Sequence, residues 1–109
     1  MIPASDRIVL LTDNQPAVEA VRTSLSELSA QLENANDVGE MTLLDVEQAR
    51  SEIWHLEEAF KAERVRVAWI EPLAKNSLKW IAEKAAGAAV GKAALAVIAA
   101  IAALFGFSF

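Results

Sequence analysis

Two stretches of the chain repeat apolar residues at alternating steps of three and four, which keeps one face of an α-helix apolar. The first seam comprises Val18, Val21, Leu25, Leu28, Leu32 and Ala35. The second comprises Val46, Ala49, Ile53, Leu56 and Phe60. A turn-forming sequence at 34–39 joins them, so the pattern predicts an antiparallel helical hairpin in an all-α chain. Because so small a hairpin has little core, we expect it to self-associate or to pack on the rest of the chain.

Local signals predict where the helices begin and end. Thr42 and Asp45 form a capping box at the start of helix two, which is predicted to run to Trp69 or Ile70. Pro72 is expected to break or kink that helix and to begin a third. The apolar run 8–11 is interpreted as an extended or helical arm, since no partner strand is evident.

The C-terminal segment is alanine-rich and carries no charge from Ala93 to Phe109, a stretch of 17 residues. As a helix it is about 25 Å long, slightly short of the roughly 30 Å of a bilayer core. Gly87 and Gly91 form a small-xxx-small pattern that favours close helix packing. The predicted membrane or helix-packing residues are Gly87, Gly91, Lys92, Leu95, Ile98, Ile101, Leu104 and Phe105. The alternative is a buried central helix of a soluble oligomer.

Charge is distributed unevenly along the sequence. Residues 1–60 carry a net charge of −9 and residues 61–109 a net charge of +4, within a total of −5. This asymmetry favours contact with a membrane or an anionic ligand, although a net negative chain is a poor general nucleic-acid binder. The chain has no cysteine, which excludes disulfides and thiolate zinc sites. We divide it into a hairpin oligomerisation region, 1–71, and a basic helix leading into a membrane-active helix, 72–109.

Basic and tryptophan side chains alternate through the middle of the chain. The predicted anion or nucleotide ligands are Lys61, Arg64, Arg66, Trp69, Lys75 and Lys79. Arginine offers a planar fork for phosphate, and tryptophan offers a surface on which a base can stack. The alternative is that these cations pair with the acidic first half or lie above lipid headgroups, while the tryptophans fill the core or form an interfacial belt.

No enzyme signature emerges, so the chain is predicted to be non-catalytic and to need no cofactor. Glu52 and His55 form an E-x-x-H pair, a spacing that di-iron bundles use, but further ligands are not identifiable. A polar position at the edge of the seam explains His55 more simply. We therefore predict no metal site.

The run from about Met41 to Leu104 resembles small bacterial proteins in which a helical hairpin precedes a hydrophobic C-terminal segment. The resemblance is carried by Leu56-Glu-Glu-Ala-Phe-Lys, Arg64-Val-Arg-Val, Leu78-Lys-Trp-Ile-Ala-Glu-Lys and the segment 87–104. The segment is also similar to the hydrophobic hairpin of pore-forming colicins, although it is long enough to cross a membrane only once. The chain most resembles the membrane effectors of nucleotide-signalling antiphage systems of the Hailong type. That resemblance implies an oligomer that a nucleotide second messenger or short oligonucleotide controls and that breaches the inner membrane.

The predicted function is an oligomeric, membrane-inserting or depolarising effector of bacterial antiphage defence, controlled by an anionic nucleotide. Its expected partners are further copies of itself, the lipid bilayer, the nucleotide and a signalling enzyme encoded in the same operon. The body is expected in the bacterial cytoplasm, with the C-terminal helix at or in the inner membrane. The alternative is a non-catalytic helical adaptor or scaffold whose last helix is an anchor or an oligomer core.

Overall fold

The computed structural model describes residues 8–10, 15–34, 37–62 and 64–106, and it confirms an all-α fold built on four helices. A pair of three-residue strands, β1 and β2, accompanies them. The strands are β1 (Ile8–Leu10) and β2 (Arg64–Arg66). The helices are α1 (Gln15–Asn34), α2 (Leu43–Ala59), α3 (67–84) and α4 (Ala89–Phe105). Helix α3 comprises an α-helical turn (Val67–Pro72), a π-helical segment (Leu73–Leu78) and a second α-helical segment (Lys79–Lys84).

Both predicted seams lie in the core. Every member of the second is buried, as are the first five of the first, while Ala35 lies outside the described residues. The capping box of α2 is also confirmed. Thr42 Oγ1 accepts a hydrogen bond from the Asp45 amide at 3.1 Å, and Asp45 Oδ2 accepts one from the Thr42 amide at 3.0 Å.

The predicted end of helix two was wrong by about ten residues, because α2 ends at Ala59. Arg22 of α1 explains part of this early end. Its Nε and Nη2 atoms donate hydrogen bonds of 3.0 and 2.7 Å to the Phe60 carbonyl oxygen. A cation placed on the last free carbonyls of a helix stabilises its C-terminus. The buried Phe60 ring fixes this end against the core.

The interpretation of the N-terminal run as an arm without a strand partner was also wrong. Strand β1 pairs antiparallel with β2, with Val9 opposite Val65. The partner was missed because its sequence was assigned to helix two. The alternation Arg64-Val-Arg-Val has the period of two that suits a strand.

Pro72 neither breaks nor begins a helix. It lies inside α3 in a right-handed helical conformation, and α3 begins at Val67. A proline inside a helix removes one backbone hydrogen bond and crowds the carbonyl four residues earlier. The α-helical pattern of backbone hydrogen bonds is therefore interrupted at Pro72. The π-helical segment, whose hydrogen bonds close a longer ring, begins directly after it. The proposed division of the chain at residue 72 therefore runs through one helix.

Helix α4 packs chiefly against α1 and the last segment of α3. Its inner face contributes Val90, Ala94, Val97, Ile101 and Phe105 to the core that the hairpin also lines. The Phe105 ring lies 6.1 Å from that of Phe60. Among the described residues, no helix is long and apolar enough to cross a bilayer. The expectation of a transmembrane helix therefore finds no support.

Candidate membrane-facing surface

The side of α4 opposite its core contacts is apolar and uncovered. We call this side the α4 outer face; its members are Lys92, Leu95, Ala96, Ala99 and Ala103, all exposed. Leu95 is 57 % exposed. After Lys92 the helix carries no charge, so the face offers water only carbon atoms and one lysine at its N-terminal end.

The predicted membrane or packing residues divide between the two sides of α4. Gly91, Ile101 and Phe105 are buried, whereas Ile98 and Leu104 are partly covered. Lys92 and Leu95 lie on the α4 outer face. Five of the eight predicted residues therefore lie in or against the chain's own core, which a uniformly apolar sequence could not reveal.

The two glycines have different roles, and neither lies on the α4 outer face. Gly87 precedes α4 and adopts a φ of +82°, in a turn that L-residues disfavour. Gly91 lies against the α3–α4 turn: a Cβ atom there would come within 2.1 Å of the Ala85 carbonyl oxygen. The small-xxx-small pattern thus permits a tight turn and a close contact within one chain.

The loop between α1 and α2 holds the start of α4. Asp37 Oδ2 accepts a hydrogen bond from the Ala89 amide at 2.8 Å, and the Asp37 carbonyl accepts one from Val90 at 3.3 Å. Ala88, at the N-cap position itself, has no side chain that could do this. Next to it, the Glu40 amide donates to the Lys84 carbonyl oxygen at 3.1 Å. This loop therefore fixes both α3 and α4.

The same end of the molecule exposes further apolar and basic groups. Leu43 and Leu44, in the first turn of α2, are 81 % and 77 % exposed. Lys84 ends α3 and lies 4.0 Å from Asp45, measured from Nζ to Oδ2. Lys92 follows in the first turn of α4. Apolar side chains and lysines therefore occur together where α2, α3 and α4 meet.

The predicted anion ligands are distributed along α3 and the segment before it. Lys61 donates to Glu58 at 2.7 Å, and this hydrogen bond and its charge attraction raise the pKa of the exposed Lys61 amine. Lys75 pairs with Glu71 at 2.9 Å within α3. Lys79 is exposed and lies in the last segment of α3.

Trp69 is 70 % exposed, near the start of α3. Arg64 and Arg66 belong to β2, and their side chains lie outside the description. Because two of the lysines already contact carboxylates on neighbouring turns, an anion would have to compete for them. The nucleotide site stays a prediction.

The E-x-x-H pair acquires no third ligand: the described part of the chain contains no cluster of three or more histidine, aspartate and glutamate side chains suited to a metal. The exposed His55 contacts the Trp54 ring edge-on, with centroids 5.1 Å apart. Two residues that bind the backbone at helix ends, Arg22 at the end of α2 and Asp37 at the start of α4, were not recognised from sequence. Asp37 lies in a turn of suitable composition, but nothing in the sequence showed that it caps a helix 52 residues away.

Comparison of the chain with models of protein families, with curated proteins and with solved structures finds no match. The resemblance to antiphage membrane effectors accordingly stays a prediction.

Proposed function

We propose that this protein is a non-catalytic, membrane-active helical protein whose α4 outer face attaches to an anionic bilayer. The observation that carries the proposal is the uncovered side of α4, which has Leu95 and three alanines exposed and a lysine at one end. An apolar helix face can lie in a membrane interface, and a lysine at its end can reach the lipid headgroups through its long stem.

The α4 outer face has an area that favours a bilayer over a second copy of the chain as its binding partner. A 17-residue helix about 25 Å long and about 10 Å wide presents roughly 250 Å² on one side. A stable protein–protein interface covers about 800 Å² on each partner. The α4 outer face alone is too small for such a dimer, whereas a bilayer can cover it completely.

The same area predicts weak, reversible attachment. Covering about 250 Å² of apolar surface is worth on the order of 6 kcal/mol before ordering costs, at about 25 cal/mol per Å². Lys92, on the α4 outer face, adds about 1 kcal/mol next to anionic headgroups. This electrostatic part is screened by salt, so attachment weakens as ionic strength rises.

Membrane disruption, which the Hailong resemblance implies, needs a second step in which α4 leaves α1 for the bilayer. The large side chains that lose their protein contacts are Val90, Val97, Ile101 and Phe105, all buried. Exposing these side chains to water while the bundle opens, before lipid covers them, costs about 1.5–3 kcal/mol each, or about 6–12 kcal/mol in all, which is similar to the whole stability of a small domain. We therefore propose that insertion is coupled to opening of the bundle and needs a trigger. A nucleotide acting at the basic α3 region is the candidate that the sequence suggests.

Vesicle flotation tests the attachment. The full chain is mixed with vesicles of phosphatidylcholine alone or with phosphatidylglycerol added, at low and high salt. We expect flotation with the anionic vesicles at low salt. Ala99→Glu, which places a charge on the α4 outer face, is expected to abolish it.

The matched control is Ala30→Glu, on the exposed side of α1, which is expected to float like the original chain. Flotation that is insensitive to Ala99→Glu would refute the proposal. Absence of flotation combined with a dimer that Ala99→Glu dissociates would assign the face to a second copy and support the adaptor alternative.

A further inference from the structure

A second candidate site lies on α2 and α3, away from the α4 outer face. A cleft of about 250 Å³ opens between these helices, and its lining residues are Gln48, Glu52, Asn76, Ser77 and Trp80. Three of them are polar and uncharged, one is aromatic and one is a carboxylate. Glu52 is the sole charged residue in this lining.

The carboxylate of Glu52 is incompletely paired. Gln48 Nε2 donates to Glu52 Oε1 over a long 3.4 Å. Within the described part of the chain, the second oxygen, Oε2, is shielded from solvent and no hydrogen-bond donor reaches it. A carboxylate oxygen that has lost water and gained no donor carries an uncompensated desolvation cost. A ligand that supplies a charged donor removes that cost.

The α3 side of the cleft is formed by two residues of the π-helical segment and by Trp80. Asn76 and Ser77 belong to the π-helical segment Leu73–Leu78, and Trp80 follows one turn later. π-Helical turns inside α-helices occur frequently at functional sites. Here the segment brings an amide and a hydroxyl to the side of α3 that faces Glu52, while the half-buried Trp80 supplies a ring.

We infer that this cleft binds a small organic cation, a primary ammonium or guanidinium group carried on an apolar stem. The charged group would donate to the Glu52 carboxylate, and its stem would lie against Trp80. A carboxylate together with an aromatic face is a favourable combination for such cations, because the ring attracts positive charge as well. The terminal torsion of glutamate is soft, so a small rotation brings the shielded oxygen to the cleft.

The test uses the full chain and four probes: butylguanidinium, butylammonium, uncharged butanol and guanosine monophosphate. Binding is followed by the indole N–H resonance of Trp80 in two-dimensional NMR, assigned with Trp80→Phe. We expect a saturable shift with the two cations and none with butanol. Glu52→Gln is expected to weaken binding by about ten- to hundredfold, the effect of losing one charge-assisted hydrogen bond.

Glu47→Gln is the matched control, since it removes the same charge from an exposed position on α2 outside the cleft. It is expected to bind like the original chain, and circular dichroism checks that both variants remain folded. Equal shifts with butanol would make the cleft merely apolar and overturn the proposal. Cation binding that survives Glu52→Gln, or a Trp80 response to guanosine monophosphate alone, would overturn it as well.

Discussion

Two substitutions in α4 remove the same number of carbon atoms but are expected to have very different consequences. Ile101→Ala truncates a fully buried side chain, whereas Leu95→Ala truncates one that is 57 % exposed. Losing three buried carbons costs about 0.8 kcal/mol each by transfer, and the cavity adds to this, so Ile101→Ala should cost about 3–4 kcal/mol. At Leu95 the transfer loss is below about 1 kcal/mol, and the better helix propensity of alanine offsets part of it.

Urea denaturation followed by circular dichroism, without lipid, measures both free energies of unfolding. A chain of this size should lose roughly 4–8 °C in Tm for each kcal/mol, so thermal melts of the two variants should separate clearly. Equal and small effects would refute the reasoning, because they would mean that α4 is not packed on α1 in solution. A larger loss of stability for Leu95→Ala than for Ile101→Ala would mean that the side of α4 carrying Leu95, and not the side carrying Ile101, packs against the core.

Three further substitutions test the contacts that terminate and connect the helices, each by urea denaturation. Arg22→Met should cost about 1.5–3 kcal/mol, because it removes two charge-assisted hydrogen bonds to the Phe60 carbonyl, while Arg50→Met on the exposed side of α2 should cost little. Asp37→Ala should cost about 1 kcal/mol by removing the cap of α4. Gly91→Ala should cost at least about 1–3 kcal/mol, since its methyl group would collide with backbone atoms that cannot turn aside.

Each of these predictions has a contradicting result. Equal losses for Arg22→Met and Arg50→Met would show that capping of α2 by Arg22 contributes nothing specific. A neutral Asp37→Ala would mean that the start of α4 is satisfied by water. If the Gly91→Ala protein is as stable as the original, the Ala85 carbonyl cannot lie as close to position 91 as the structure places it.

The hairpin was predictable from sequence because its information is local and periodic. The seams from Val18 to Leu32 and from Val46 to Phe60 repeat over many turns, and the Thr42 capping box lies within four residues. The end of α2 was not predictable, because it depends on Arg22, which is 38 positions away from Phe60. Strand β2 was lost with it, since a run of three residues gives too weak a period to overrule a helical pattern.

The division of α4 into an inner and an outer side was likewise beyond sequence. Apolar residues occur on every side of this helix, so the sequence pattern does not show which side faces α1. The Glu52 cleft was missed for another reason. Sequence placed Glu52 and His55 together by spacing, whereas the fold brings Glu52 toward residues of α3 more than twenty positions later.

The most direct test of the membrane proposal uses the absence of cysteine in the chain. Single cysteines replace Ala99 on the α4 outer face or Ala30 on the exposed side of α1, and each is labelled with the environment-sensitive dye NBD. On addition of phosphatidylglycerol-containing vesicles, we predict a blue shift and brighter emission from position 99 and no change from position 30. Unchanged emission from position 99, or equal changes at both positions, would contradict attachment through the α4 outer face.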